Sequence, residues 1–232
     1  MTQSSLYGEK MTNIWHFFRC TKKQQARQTR IKADKVGRTP METLFIAFND
    51  ETDSARTQRV REQLLANDTY LVSGYAPYTT WAKSKSGDSL KELRADFDRD
   101  IGSAHYVIIL LGEDCATNPW IRYAIERSYV LEKPMFALNI NMIADEQGNT
   151  CARDINPLER FAVLEHGRKI YLSDRYQTYD WDENLAEALP NCLARAEKSA
   201  TEVAASKRAQ QTVQSTNYRD YESMRFSNSA HS

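Results

Sequence analysis

Apolar runs that alternate with helical stretches begin at Met41 and give the chain its first regular pattern. Apolar runs bounded by polar or turn-forming residues indicate buried strands. Five such runs occur, at 43–48, 70–74, 105–112, 134–140 and 169–173. Between them, apolar residues recur at helical spacing over 54–68, 89–102 and 119–131. Strands that alternate with helices predict parallel β-α-β units with right-handed crossovers.

This alternation predicts an α/β protein with a flavodoxin-like, doubly wound sheet. We expect a mainly parallel sheet of five strands in the order 2-1-3-4-5, with helices on both faces. In such sheets, ligands bind beyond the carboxyl ends of the strands, at the point between strands 1 and 3 where the order reverses. Those ends lie at 48–50 and 112–114. The sequence therefore predicts a binding crevice between these two segments.

The first 40 residues differ from this pattern in composition. They hold nine Lys or Arg against Glu9 and Asp34, and they include an aromatic cluster at 15–18. We interpret residues 1–40 as a basic N-terminal extension that docks through its aromatic residues. A basic arm that binds nucleic acid is the less favoured alternative.

The C-terminal third closes the predicted domain with a helical stretch. Pro190 should break or kink this helix, because proline lacks an N–H and crowds the preceding turn. After about residue 198 the sequence becomes polar and rich in Ser, Ala and Gln. We therefore expect the domain to span 41–197 and a polar tail to span 198–232, the end of which needs a partner to become ordered.

Composition and charge narrow the class of protein. The chain has 31 basic and 31 acidic residues, so net charge gives no support for binding to nucleic acid or to a membrane. No apolar run approaches the roughly 18 residues that span a bilayer, and the N-terminus lacks a signal-peptide core. The four cysteines form no C-x-x-C pair and fit no zinc or disulfide framework. We expect a soluble cytoplasmic protein with free thiols and no metal site.

Acidic and amide side chains follow strand 1 in the segment "FNDETD". Asp50, Glu51 and Asp53 could bind a metal or the hydroxyls of a sugar. Alternatively, acidic residues at this position favour the N-terminus of the next helix through its dipole, with Asp53 or Ser54 as the cap. We favour the helix explanation for Glu51 and Asp53. For Asp50 and its neighbour Asn49, both explanations stay open.

The segment "GEDCATNPW" follows strand 3 and opens the next helix. It has a single glycine and no phosphate-binding signature, which weakens the case for ATP hydrolysis or hydride transfer. Asn118 before Pro119 is typical of a helix cap. Within the helix, Trp120 and Ala124 lie one turn apart on one face. Glu126 lies about 200° around the helix from Ala124, so we interpret it as a solvated surface acid.

The four histidines are scattered and suggest no nucleophilic triad. His105 opens an apolar strand, so a structural role is the default interpretation. The residues that we expect to bind substrate are those at the crevice, together with one aromatic residue after strand 2. They are Phe48, Asn49, Asp50, Glu113 and Trp120, with Trp81 given less weight.

Several separated blocks resemble the TIR-like domains of bacterial antiphage defence, in particular the TIR-like subunit of Thoeris systems. They are "TLFIAFNDETD", Trp81 after strand 2, "SLKELRADFDRDIGSAHYVIILLGEDCATNPWIRYAI" and "KPMFALNI". The resemblance covers about residues 43–175 and is most specific over 103–140. It implies a TIR fold and NAD as the substrate, with no further cofactor.

The resemblance also implies a reaction. Such enzymes cleave the bond between nicotinamide and ribose, and the Thoeris members turn ADP-ribose into a cyclic or conjugated nucleotide. That signal activates a separate effector protein, and self-association of the chain is left open. Cleavage of this bond builds positive charge on the ribose, which a fixed carboxylate stabilises. The family places that Glu in a W-x-x-x-E pattern, but this chain reads W-I-R-Y-A and has Ala124 at the catalytic position.

Two explanations for Ala124 are open: a substitution introduced for Glu, or a natural variant that binds nucleotide without cleaving it. Three functions follow. The favoured one is an NAD-processing enzyme whose present sequence is catalytically impaired at residue 124. The second is a binding or scaffold module without chemistry. The third is an enzyme similar to nucleoside deoxyribosyltransferases, which also depend on a helix Glu and which the Trp-containing block supports less well.

Overall fold

The computed structural model describes residues 41–66, 68–74, 77–83, 87–165, 168–208 and 212–214. The predicted N-terminal extension therefore lies outside the described residues. The strands are β1 (Glu42–Ala47), β2 (Tyr70–Ser73), β3 (Tyr106–Leu111), β4 (Met135–Asn139), β5 (Ala162–Glu165), β6 (Arg168–Tyr171), β7 (Thr178–Asp180) and β8 (Thr212–Gln214). The α-helices are α1 (Ser54–Leu65), α2 (Tyr78–Lys83), α3 (Gly87–Ser103), α4 (Pro119–Val130) and α5 (Leu185–Arg208). Two short 3₁₀ helices span Pro157–Arg160 and Leu172–Asp174.

The main sheet has five strands in the order β2-β1-β3-β4-β7, and every pairing in it is parallel. This confirms the predicted flavodoxin-like α/β fold and its reversal between β1 and β3. The predicted fifth strand at 169–173 is wrong for this sheet, however, since β7 occupies the edge instead. β6 pairs antiparallel with β5 in a second sheet ordered β6-β5-β8. Arg168 and Lys169 of β6 are both exposed, and charged side chains of this kind are common on an edge strand.

The two faces of the main sheet are covered by different helices. One core cluster joins Phe45 and Val107 to apolar residues of α3 and α4. The other joins Leu44 and Ile108 to apolar residues of α1 and α5. Because successive strand residues point to opposite faces, a strand buried on both sides must be apolar throughout, as β3 is. The prediction of helices on both faces is confirmed.

Pro190 does not break the helix, since α5 continues past it to Arg208, and the alternative of a kink stays a prediction. Pro190 is exposed, so its ring does not displace core residues. Leu189 and Leu193 of the same helix are buried against the sheet. Their packing outweighs the loss of one hydrogen bond. The helix also extends past residue 198, where the tail was expected to begin. None of the described helices carries an apolar stretch long enough to cross a bilayer.

Candidate functional site

A small pocket lies at the carboxyl edge of the sheet, beside the ends of β1 and β2. Its lining residues come from β1 and the loop after it, from the end of β2, and from α2, α3 and α4: Ile46, Ala47, Phe48, Asp50, Gly74, Tyr78, Phe97 and Trp120. The position agrees with the general location of ligand sites in doubly wound sheets. The cavity volume is about 10 Å³, which is room for about one water molecule.

Gly74 is required for this arrangement at the end of β2. It has a φ of +78°, and a Cβ at this position would lie 2.4 Å from the carbonyl oxygen of Ile46. Both features exclude side chains. The glycine therefore lets the chain leave β2 in close contact with β1, where the two strands form one wall of the pocket.

Aromatic rings form the opposite wall. The ring of Trp120 lies 4.9 Å from that of Phe97 and 5.6 Å from that of Tyr78, measured between centroids. Trp120 is almost fully buried. Burial, and then the neighbouring charge of Asp100, raise the pKa of Tyr78, and its hydroxyl donates to Asp100. Tyr78 therefore stays protonated at neutral pH and presents an apolar ring to the pocket.

Asp50 is the acidic residue that lines the pocket. Its carboxylate is half-buried and accepts a hydrogen bond from the backbone N–H of Thr79, at 3.1 Å. The next residue, Glu51, forms an ion pair with Lys83 of α2 instead of facing the pocket. Of the acids considered as ligands after strand 1, Asp50 is thus the one placed for contact with a bound molecule.

Asn49 and Glu113 contact each other through the backbone of Glu113. The Asn49 side chain donates to the Glu113 carbonyl at 3.2 Å, and Thr52 donates to the same carbonyl at 3.1 Å. Asn49 is buried, whereas the Glu113 side chain is exposed. These contacts join the carboxyl ends of β1 and β3. Neither residue lines the pocket, so substrate contact by either stays a prediction.

Asp53 occupies the predicted N-cap position before α1, but its side chain makes no capping hydrogen bond. Its carboxylate is fully buried, pairs with Arg56 at 2.9 Å and accepts from the Glu113 N–H at 3.3 Å. The Arg56 guanidinium also donates hydrogen bonds to the carbonyls of Ile143 and Asn149, in the loop after β4. Burial raises the pKa of Asp53, and Arg56 offsets only part of that effect.

Ala124 is fully buried in the cluster formed with α3, and it is not among the pocket-lining residues. Its carbonyl accepts a hydrogen bond from the Ser128 hydroxyl at 2.6 Å. Glu126 is half-buried, and burial raises the pKa of its carboxyl group. The helix thus brings Trp120 to the pocket and keeps the residue one turn later in the core. Glu126 is more enclosed than the surface acid that we expected.

Three sequence interpretations near the site have clear outcomes. Asn118 caps α4, since its side-chain oxygen accepts from the N–H groups of Trp120 and Ile121, which confirms the prediction. His105 accepts from the N–H of Thr43, as a structural histidine would. Trp81 belongs to the short helix α2, where a loop was expected. It packs against the core beside Tyr78 and does not line the pocket.

Sequence reasoning missed Tyr78 and Phe97 as pocket residues. Phe97 looked like an ordinary core position of an amphipathic helix, and it performs both roles. The signal for Tyr78 was its place four residues after Gly74 and three before Trp81, in a segment rich in aromatic residues. Among the described residues, no group of three His, Cys, Asp or Glu side chains is arranged to hold a metal ion.

No curated protein matches the chain. The family profile of the TIR-like domain of the Thoeris protein ThsB matches residues 45–145. The match covers less than half of the chain, but it spans β2 to β4 and the second half of β1. It also contains every residue that lines the pocket. Over residues 45–145 the chain is therefore similar to the TIR-like domain of the Thoeris protein ThsB.

Proposed function

We propose that this TIR-like domain binds NAD at the carboxyl edge of the sheet, beside the ends of β1 and β2, and serves antiphage signalling in bacteria. The observation that carries the proposal is the coincidence of the family match with the pocket, whose lining includes Asp50 and Trp120. An aromatic wall offers a stacking surface for a nicotinamide or adenine ring. A carboxylate on the other side offers an acceptor for ribose hydroxyls.

Cleavage of NAD requires more than binding. The bond between nicotinamide and ribose breaks with positive charge on the sugar, and a carboxylate fixed beside the ribose lowers that barrier. The methyl group of Ala124 supplies no charge, and the residue is buried. In this proposal the present chain binds NAD and cleaves it slowly. The form with Glu at 124 produces a cyclic or conjugated ADP-ribose signal that activates a separate effector.

The size of the pocket places a condition on this proposal. A site for a drug-sized ligand typically encloses about 300–1,000 Å³, far more than the cavity of about 10 Å³ found here. A dinucleotide can enter only if the pocket walls separate.

A non-catalytic binding or scaffold module is the second candidate. Two observations favour it: the residue at the family's catalytic position is a buried alanine, and the pocket is nearly closed. A scaffold needs neither a carboxylate nor an open cavity. The two candidates differ in what they predict for NAD.

Binding and chemistry can be tested separately. Titration calorimetry of the full chain with NAD measures binding, and mass spectrometry of the reaction mixture detects nicotinamide and ADP-ribose products. We expect binding by the unaltered chain, slow turnover, and a gain in turnover for Ala124→Glu. Ala124→Gln is the matched control, since it adds nearly the same volume without the charge.

Each outcome decides between the candidates. Turnover by Ala124→Glu but not by Ala124→Gln supports the enzyme. Rapid turnover by the unaltered chain contradicts the catalytic role of position 124. Absence of NAD binding in all three proteins favours the scaffold.

A further inference from the structure

Three buried polar side chains from three separate elements meet behind the pocket. Asn49 follows β1, Thr79 lies in α2, and Asn118 caps α4, and each is 5 % exposed. The side-chain amide of Asn118 donates to Asn49 Oδ1 at 3.0 Å and to Thr79 Oγ1 at 3.3 Å. We call these three side chains the Asn118 junction. Because a buried polar group is costly unless it is hydrogen-bonded, any displacement that breaks these contacts is unfavourable.

Asn118 uses its full hydrogen-bonding capacity in this junction. Its oxygen accepts two backbone N–H groups of α4, and its nitrogen donates to the two other members. An amide offers two donors and one acceptor oxygen with two lone pairs. Among side chains of this length, only asparagine can cap the helix and hold both neighbours at once.

Each member of the junction lies within two residues of a residue that lines the pocket. Asn49 precedes Asp50, Thr79 follows Tyr78, and Asn118 is two residues before Trp120. We infer that the Asn118 junction is the positioning frame of the nucleotide site, which fixes the spacing between the acid and the two aromatic rings. Asn118 is thus a positioning residue. The inference rests on the proposed function and extends it to residues that do not line the pocket.

The chemistry of the junction provides a nearly isosteric test. Asn118→Asp keeps the oxygen that caps α4 but places a second acceptor opposite Asn49 Oδ1, whereas the Thr79 hydroxyl can rotate and donate to the new oxygen. A flip of the Asn49 amide cannot relieve this, because its nitrogen already donates to the Glu113 carbonyl and its oxygen accepts from the Glu51 N–H. The variant therefore preserves the helix cap and breaks the contact between residue 118 and Asn49.

A second Asn-Pro cap in the chain supplies the matched control. The Asn156 oxygen accepts from the N–H of Leu158, and its nitrogen donates to the Thr178 hydroxyl at 2.9 Å. Asn156→Asp makes the same chemical change at a cap that does not adjoin the pocket. Both variants and the unaltered full chain are titrated with NAD, well below their melting temperatures. Amide hydrogen exchange is measured in parallel at Glu51 and Thr79, whose N–H groups donate to Asn49 and Asp50.

We expect Asn118→Asp to weaken NAD binding roughly tenfold or more and to speed exchange at both amides. Asn156→Asp should change neither. An unaltered NAD affinity in Asn118→Asp overturns the inference, and so does an equal loss in both variants, because a purely structural role lowers the melting temperature without changing the affinity of folded protein.

Failure of the proposed function has a different signature. If the unaltered chain binds no NAD, the exchange data alone decide the inference: faster exchange confined to Asn118→Asp supports a frame for the pocket, and unchanged exchange overturns it. If Asn118→Asp does not fold, Thr79→Val takes its place. It removes one acceptor from the junction and leaves the cap of α4 intact, and the same outcomes apply.

Discussion

The buried pair Asp53–Arg56 provides the sharpest test of how the carboxyl edge of the sheet is held together. The two side chains are 0 % and 2 % exposed. Through them, the loop after β1 contacts the backbone of Glu113 and the loop that follows β4. Arg56→Met removes the positive charge and leaves the Asp53 carboxylate buried without its partner.

Breaking a buried pair by removal of one partner costs about 3–5 kcal/mol, because an uncompensated charge remains in a medium of low dielectric constant. The chain contains a matched control with the same residues at the same spacing. Arg99 and Asp96 are 69 % and 54 % exposed and lie 2.7 Å apart. Exposed pairs of this kind contribute about 0–1 kcal/mol. We therefore expect Arg56→Met to destabilise the protein several times more than Arg99→Met.

Urea denaturation at pH 7, followed by circular dichroism, measures both free energies of unfolding. Adding Asp53→Asn to Arg56→Met should recover part of the loss, since the buried charge is then removed as well. Equal effects of Arg56→Met and Arg99→Met would refute the reasoning. A double variant that is no more stable than Arg56→Met alone would also refute it. The loss of stability would then not come from the unpaired Asp53 carboxylate.

Three further predictions concern the same edge of the sheet. Burial raises the pKa of Asp53 above its unfolded value of 3.8, so its contribution to stability is greatest below pH 3.8 and is lost as pH rises through the folded pKa. Urea titrations across that pH range should show the unaltered chain losing stability relative to Asp53→Asn as pH rises. A difference in free energy of unfolding that does not change with pH contradicts the raised pKa of Asp53. Gly112→Ala should cost about 1–3 kcal/mol, since its Cβ would lie 2.2 Å from the Asp53 carboxylate. Gly102→Ala, in open space within α3, should instead stabilise by about 0.5–1 kcal/mol. A melting temperature that is higher for Gly112→Ala than for Gly102→Ala contradicts the close contact at Gly112. Ala124→Glu should lower the melting temperature more at pH 8 than at pH 5, because a fully buried carboxyl group has a raised pKa; the same melting temperature loss at both pH values contradicts its burial.

Local pattern in the sequence determined the fold class. β1 and β3 are apolar enough to be recognised as buried strands, and α3 and α4 show helical periodicity. The cap at Asn118 was also predictable, because capping depends on residues two and three positions away. β7 escaped prediction because a strand of three residues is too short for its periodicity to be read.

Tertiary structure decided which residues form the site. The sequence marked Asn49, Asp50 and Asn118 as polar residues near strand ends, but not that Asn118 would join Asn49 to Thr79 across 69 and 39 positions. It gave Trp120 and Ala124 a shared helix face, yet the structure brings the first to the pocket and encloses the second in the core. Helix periodicity fixes the direction of a side chain relative to its neighbours on the helix. Only the packing of α4 against α3 and the sheet decides which of them meets a cavity, because that depends on contacts far apart in the chain.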